Sequence, residues 1–327
     1  MDCMQKQFSG VGLCTLLHFL VDGLCACQIF LLSDTVPMMH LVEMFLLYNL
    51  LAFLTQPIVG IYADRVEQRR WMLWAANGLL AAAVLLASAM VCFHWSEMAV
   101  MPVAILLGLG NSFFHVWGGK QVAVKTENDI TALGMFVSTG AFGLAVGTVC
   151  HSWALSYAIL LLIAVLSANY LQIENLLSLQ PSRPSCFSNE GPVASLGSLI
   201  VGILVFVLVL FVMFRSYVSG TFTAGVGRGP AFVLLFGATS MLGKMAGGWM
   251  ADRLGLLRSA VLMVVVAMVC YWGRQWNLTV LLLGLFMINC TMPITLYCAN
   301  VLLRGHEGFA FGLLAAALIP GVLWMFL

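Results

Sequence analysis

Apolar residues run along this chain in long blocks separated by short polar interruptions, without the two- or three-to-four-residue alternation of a half-buried strand or a surface helix. A helix needs about 20 apolar residues to cross the hydrocarbon of a bilayer, and blocks of that length fall at roughly 8–32, 38–62, 71–93, 98–118, 130–150 and 152–171. A second group follows at roughly 197–221, 230–250, 256–272, 277–299 and 306–327, which predicts eleven spanning helices. Between the groups, Gln172 to Gly191 carries Pro181, Arg183, Pro184, Ser185, Ser188, Asn189 and Glu190, the one sizeable polar linker. The expected organisation is an N-terminal six-helix bundle (1–171), a cytoplasmic linker (172–194) and a C-terminal five-helix bundle (195–327).

One phrase occurs twice. Gly60-Ile61-Tyr62-Ala63-Asp64-Arg65 returns, 252 − 64 = 188 residues later, as Gly248-Trp249-Met250-Ala251-Asp252-Arg253. Each copy ends an apolar block and puts an Asp-Arg pair at a membrane surface. A phrase repeated at corresponding places in two groups of spans points to two related halves, the internal symmetry of transporters. A glycine lets a span approach its neighbour closely, and the carboxylate can cap a nearby helix or pair with an Arg, so Gly60, Asp64, Arg65, Gly248, Asp252 and Arg253 are the candidate conformational gating motif.

Composition agrees. With 62% hydrophobic and 8% charged residues the chain has too few polar side chains to cover a soluble globule, and its mean hydropathy is +1.03. A net charge of +1 and the lack of any long basic patch give no reason to expect a nucleic-acid partner. The first block is too long for a signal peptide and is read as a retained span. Cys14, Cys25, Cys27, Cys290 and Cys298 lie inside apolar blocks and read as small core residues, so no metal is expected; a soft-metal site around Cys25-Ala26-Cys27 is the weak alternative.

Orientation follows from basic residues in short loops. An inside N-terminus puts Lys6, Arg65, Arg69, Arg70, Lys120, Lys125, Arg183, Arg253, Arg258 and Arg304 on the cytoplasmic side and only Arg228 and Arg274 outside. A multi-pass protein of the cell's inner (cytoplasmic) membrane is expected, with its N-terminus cytoplasmic, and a monomer. An odd number of spans then leaves the C-terminus outside.

Six spans, a linker, five spans and Gly-x-x-x-Asp-Arg after the second span of each half resemble the major facilitator superfamily over essentially the whole chain. That family's pattern is Gly-x-Leu-x-Asp-Arg-x-Gly-Arg-Arg. Here Tyr62 replaces Leu and Glu67 replaces Gly in the first copy, while the second keeps Gly255 but has Leu256 and Leu257 where basic residues are usual. The resemblance implies an all-α membrane protein of two pseudo-symmetric bundles, with a twelfth helix, peripheral in the family, apparently missing. A narrower resemblance, to the proton-coupled exporters of the fosmidomycin-resistance branch, rests on His18-Phe19-Leu20-Val21-Asp22, on Gly108-Leu109-Gly110-Asn111-Ser112-Phe113-Phe114-His115 and on Arg215-Ser216-Tyr217. Val116 stands where that branch has Pro. The fifth span, with Gly134, Gly140, Gly143 and Gly147, is similar to the glycine-rich antiporter motif, with Thr148 in place of its Pro.

Ionisable groups at bilayer depth need a partner or a wet cavity. His18 and Asp22, four apart, share a helix face roughly 15 and 21 Å deep at 1.5 Å per residue, and Arg215 lies roughly 24 Å deep. In the family fold the first and seventh spans both line the cavity, so Asp22 and Arg215 are expected to face each other. Asp22 is then the proton-responsive group, Arg215 its counter-ion or an anchor for an anionic substrate, and His18 a relay or substrate contact. The alternative is a static buried pair that fixes packing. Asn111 and His115 repeat the four-residue spacing and are candidates for the cavity floor. Asn49 and Gln56 are read as interhelical packing, Lys244 as snorkelling to the surface, and Trp117 as core or as a stacking contact for substrate. Trp71, Trp74, Trp95, Trp153, Trp272 and Trp276 fit an interfacial belt.

The function expected is secondary active transport of a small organic molecule, probing both membrane faces in turn and exporting in exchange for protons, with no cofactor beyond the proton gradient. No His-Glu-x-x-His, Gly-x-Ser-x-Gly or paired carboxylates on one span argue for an enzyme. A non-transporting scaffold or receptor and a substrate importer are the alternatives.

Overall fold

The computed structural model describes residues 2–66, 70–178, 197–224, 229–275 and 277–323. Most of the polar linker with Arg183, together with Arg69, Arg228 and Trp276, lies outside the described residues. Every described element is helical: α1 (Asp2–Leu32), α2 (Met38–Leu54), α3 (Gln56–Arg65), α4 (Arg70–Cys92), α5 (Val100–Lys125), α6 (Ile130–Val149) and α7 (Trp153–Ser178) come first. After the linker come α8 (Ser198–Thr223), α9 (Pro230–Leu254), α10 (Leu256–Gly273), α11 (Leu278–Leu302), α12 (Glu307–Ala316) and α13 (Ile319–Leu323), apart from one 3-10 turn before α5.

Ten spans among the described residues are long and apolar enough to cross a membrane, α2 and α3 counting as one. The chain bends between these two at Thr55. Pro57 has no N–H to offer the carbonyl of Phe53, and the Thr55 hydroxyl bonds instead to Leu51 O (2.5 Å) and Ser112 Oγ (2.7 Å). The eleventh predicted span is the short pair α12 and α13, broken just before Pro320. Another difference is at the end of α7. Its helix runs through Glu174, which pairs with Lys125 Nζ (3.0 Å) and Arg70 Nε (3.3 Å), so the start of the expected linker ties the ends of α4, α5 and α7 together.

Apolar side chains face outward as freely as inward, as lipid contact requires. On α8 only 11% of the most apolar window is buried, and Leu199, Ile203, Phe206 and Leu210 are exposed. Trp71, Trp74, Trp95 and Trp272 are exposed near helix ends, while Cys14, Cys25, Cys27 and Cys290 are buried free thiols and Cys298 is part-buried.

Helices α1–α7 and α8–α13 meet along two seams, α6 against α9 and α3 with α5 against α12. Glycine makes both seams possible. A Cβ at Gly60 would overlap the Gly308 carbonyl, one at Gly312 the Gln56 carbonyl, and one at Gly248 would come 2.6 Å from the Ile130 carbonyl. The Gly60 and Gly248 approaches therefore join the two halves, where the sequence suggested only a neighbouring span. Gly255, at φ +86°, makes the tight turn from α9 to α10.

Candidate functional site

The polar centre is built on the glycines of α6. Gly143 and Gly147 lie against the backbone of α1, where a Cβ would overlap the Phe19 and Gly23 carbonyls, and at Gly140 a Cβ would overlap Asp22 Oδ2 and His18 Nε2. This close approach brings one face of α1 against α5 and α6. Asp22 Oδ2 lies 3.2 Å from His18 Nε2, and Asp22 Oδ1 lies 3.5 Å from His115 Nε2. Asn111 Nδ2 donates to Asp22 Oδ1 at 2.8 Å. The two imidazoles meet edge to face, 4.5 Å between centres. Behind them His18 Nδ1 is 2.6 Å from the Phe136 carbonyl and His115 Nδ1 is 2.9 Å from the Asn111 carbonyl.

The four residues of α1 and α5 thus form one cluster on the wall of a cavity of about 200 Å³ between the halves. Across it stand Arg215 of α8 and Lys244 of α9, with Thr295 of α11 and Phe311 of α12. The expected Asp22–Arg215 ion pair is absent among the described residues. Asp22 is in contact with His18 on its own helix and with Asn111 and His115 on α5, whereas Arg215, only 4% exposed, has an Nε with no hydrogen-bond partner among the described residues. Lys244 likewise has no hydrogen bond or ion pair among the described residues. The snorkelling expected for it is corrected: its half-buried side chain lines the cavity, because the α9–α6 seam turns that face inward.

Asn49 and Gln56 also line the cavity, and each bonds a carbonyl four residues back on its own helix. Trp117 does not: it is fully buried edge-on to Tyr170, ring centres 4.9 Å apart, and is not available to stack on a ligand.

The repeated phrase makes contacts between halves. Asp64 accepts from the backbone N–H of Gly308 and of Phe309, each at 2.9 Å, at the start of α12. Asp252 accepts from the Thr131 N–H (3.1 Å) and from the Thr131 hydroxyl at the start of α6. Each carboxylate therefore satisfies orphan donors of a helix in the opposite half. Asn300 Nδ2, at the end of α11, donates to Asn128 Oδ1 in the turn after α5 (2.8 Å). The cation beside Asp64 is Lys120 (2.5 Å), not an Arg, and Lys120 also donates to Ala63 O. Lys120 is buried inside α5 rather than in a surface loop. Arg65 and Arg253 are exposed; Arg253 lies over the Trp249 ring, 5.4 Å from its centre.

An all-helical membrane bundle of two groups of spans, with a cavity that His18, Asp22, Arg215 and Lys244 line and with reciprocal helix caps joining the groups, has the major facilitator fold. No family model and no curated protein matches the sequence. Among solved structures the chain is similar to the E. coli fucose:proton symporter FucP, at 14% identity and TM-score 0.61, covering 97% of this chain and 90% of that one. It is also similar to FucP described as a major facilitator superfamily transporter in the outward conformation, at 15% identity and TM-score 0.65 with the same coverage. At such identity the likeness is one of fold.

Proposed function

We propose that this chain is a secondary active transporter, not an enzyme, which moves a small anionic organic molecule across a membrane in exchange for protons, by alternating access to the cavity. One observation carries the reading: among the described residues Arg215 and Lys244 face the cavity without a carboxylate partner, while Asp22, a carboxylate that lines it, is surrounded by His18, His115 and Asn111. An ionised group at bilayer depth costs roughly 2.5–3.5 kcal/mol on insertion scales, so two cations at one cavity favour an incoming anion. Asp22 with two imidazoles supplies groups that can hold and release protons as the cavity changes its exposure.

Asp64, Asp252, Asn128 and Asn300 serve as the gate, closing one end of the bundle while the carboxylates cap the opposite half. With the N-terminus cytoplasmic in the cell's inner membrane, that is the cytoplasmic end and the state is outward-facing. Export is favoured by the motifs shared with the fosmidomycin-resistance branch. Symport is the second reading, because a similar solved structure is a fucose:proton symporter.

The test uses the purified chain, functional as a monomer, reconstituted in vesicles with an imposed pH gradient and offered radiolabelled organic carboxylates and phosphonates. Gradient-driven flux of an anion, with anion and proton moving in opposite directions, is the expected result, and movement in the same direction selects symport. Binding of anions without flux under any gradient replaces the transporter by a receptor or scaffold.

A further inference from the structure

The His18–Asp22–His115 cluster has a second chemistry that goes beyond transport and stands even if that reading fails. A backbone carbonyl can only accept, so the His18 Nδ1–H donates to the Phe136 carbonyl and the His115 Nδ1–H to the Asn111 carbonyl. Each neutral imidazole therefore presents its Nε2 lone pair, and both point at the Asp22 carboxylate, itself an acceptor. Three electron-pair donors thus converge on one place, and the one hydrogen-bond donor beside them, Asn111, occupies a single lone pair of Oδ1. Such a pocket calls for a cation.

We propose that His18 Nε2, His115 Nε2 and an Asp22 oxygen bind a divalent transition-metal ion of the zinc class. Geometry supports this. Ligands about 2.0–2.1 Å from a tetrahedral zinc stand about 3.3 Å apart, against 3.2 Å from His18 Nε2 to Asp22 Oδ2 and 3.5 Å from His115 Nε2 to the other oxygen, Oδ1, so the carboxylate presents one oxygen to each ring. All three ligand atoms lie within 4.8 Å of one another, so a small inward shift of one ring closes the set. Each imidazole already makes the backing hydrogen bond to a carbonyl that orients metal-binding histidines. Two imidazoles and one carboxylate select zinc, cobalt or nickel over magnesium and calcium. The fourth position opens on the cavity and is left to water or to a cavity ligand. Gly140 supplies the space, since any Cβ there would sit on the ligand atoms.

The test is titration of the purified chain in detergent with Co²⁺, read by visible d–d absorption, followed by competition with Zn²⁺. The expected result is one Co²⁺ per chain with nitrogen and oxygen ligation, displaced by Zn²⁺ and not by Mg²⁺. His18→Gln and His115→Gln should each weaken binding at least about 30-fold, while His40→Gln, at the exposed His40–Glu43 pair, leaves it unchanged. Thermal melting with and without Zn²⁺ separates lost binding from lost folding: the wild type and His40→Gln should melt higher with metal, the other two variants should not. The absence of saturable Co²⁺ absorption, a thiolate charge-transfer band pointing to cysteine, or undiminished binding in both cluster variants would each overturn the proposal.

Discussion

Asp22 stands among groups that restrain it from three directions: His18 from its own helix, and Asn111 and His115 from α5. Asn at position 22 keeps the shape and removes the acid, so Asp22→Asn should insert and melt like the wild type yet lose proton-coupled flux, measured in vesicles as anion movement that no longer follows the pH gradient. Gly140→Ala makes a sharper probe of packing. Its methyl would displace Asp22 or His18, so flux should fall at least about tenfold with helix content by circular dichroism unchanged, the cost falling in the range of core overpacking, about 1–3 kcal/mol. Arg215 and Lys244 act on the other wall. Replacing either by Gln should raise the anion concentration for half-maximal flux more than it lowers the maximal rate.

At the scale of elements, what the halves do to each other depends on helix ends and bare backbones. Lys120 is the residue whose role changed most between sequence and structure. A lysine one turn from the end of an apolar block reads as a surface charge, but α5 carries it inward to Asp64, with both side chains 4% exposed. Removing one partner of a buried pair leaves an uncompensated charge, typically about 3–5 kcal/mol. Lys120→Met should therefore lower thermal stability by a margin of that order, whereas Arg65→Ala, at an exposed side chain, should change it by less than about 0.5 kcal/mol. Thermal unfolding of the two variants in the same detergent checks both statements. The spacing of Gly134, Gly140, Gly143 and Gly147 was visible in the sequence, but it gave no indication that Gly140 and Gly143 face α1 while Gly134 faces Lys244 of α9.

For the whole molecule, the caps at Asp64 and Asp252 are two similar contacts made by opposite halves, and both must break if the halves part at that end. A helix cap contributes about 0.5–2 kcal/mol. Asp252→Asn should thus shift the ratio of open to closed states by roughly 2- to 30-fold, and Asp64→Asn by at least as much because Lys120 loses its partner. Double electron–electron resonance between labels at the C-terminal ends of α3 and α9 reads that ratio directly. Unchanged distance distributions in both variants would remove these carboxylates from the gate.

Ten of the eleven predicted spans and the doubled Gly-x-x-x-Asp-Arg phrase were readable from the chain alone, because hydrocarbon thickness acts on local sequence, and the same reading put His18, Asp22, Asn111, His115 and Arg215 inside those helices. Which of these groups touch was decided only by tertiary packing. The sequence placed Asp22 opposite Arg215 by symmetry of depth, but depth says nothing about azimuth. The close approach of α6 to α1, and of both to α5, gave Asp22 to two histidines on different helices and left Arg215 and Lys244 on the opposite wall of the cavity. A ligand set divided between positions 18, 22 and 115 has no spacing to recognise, since it exists only once glycine lets three backbones meet.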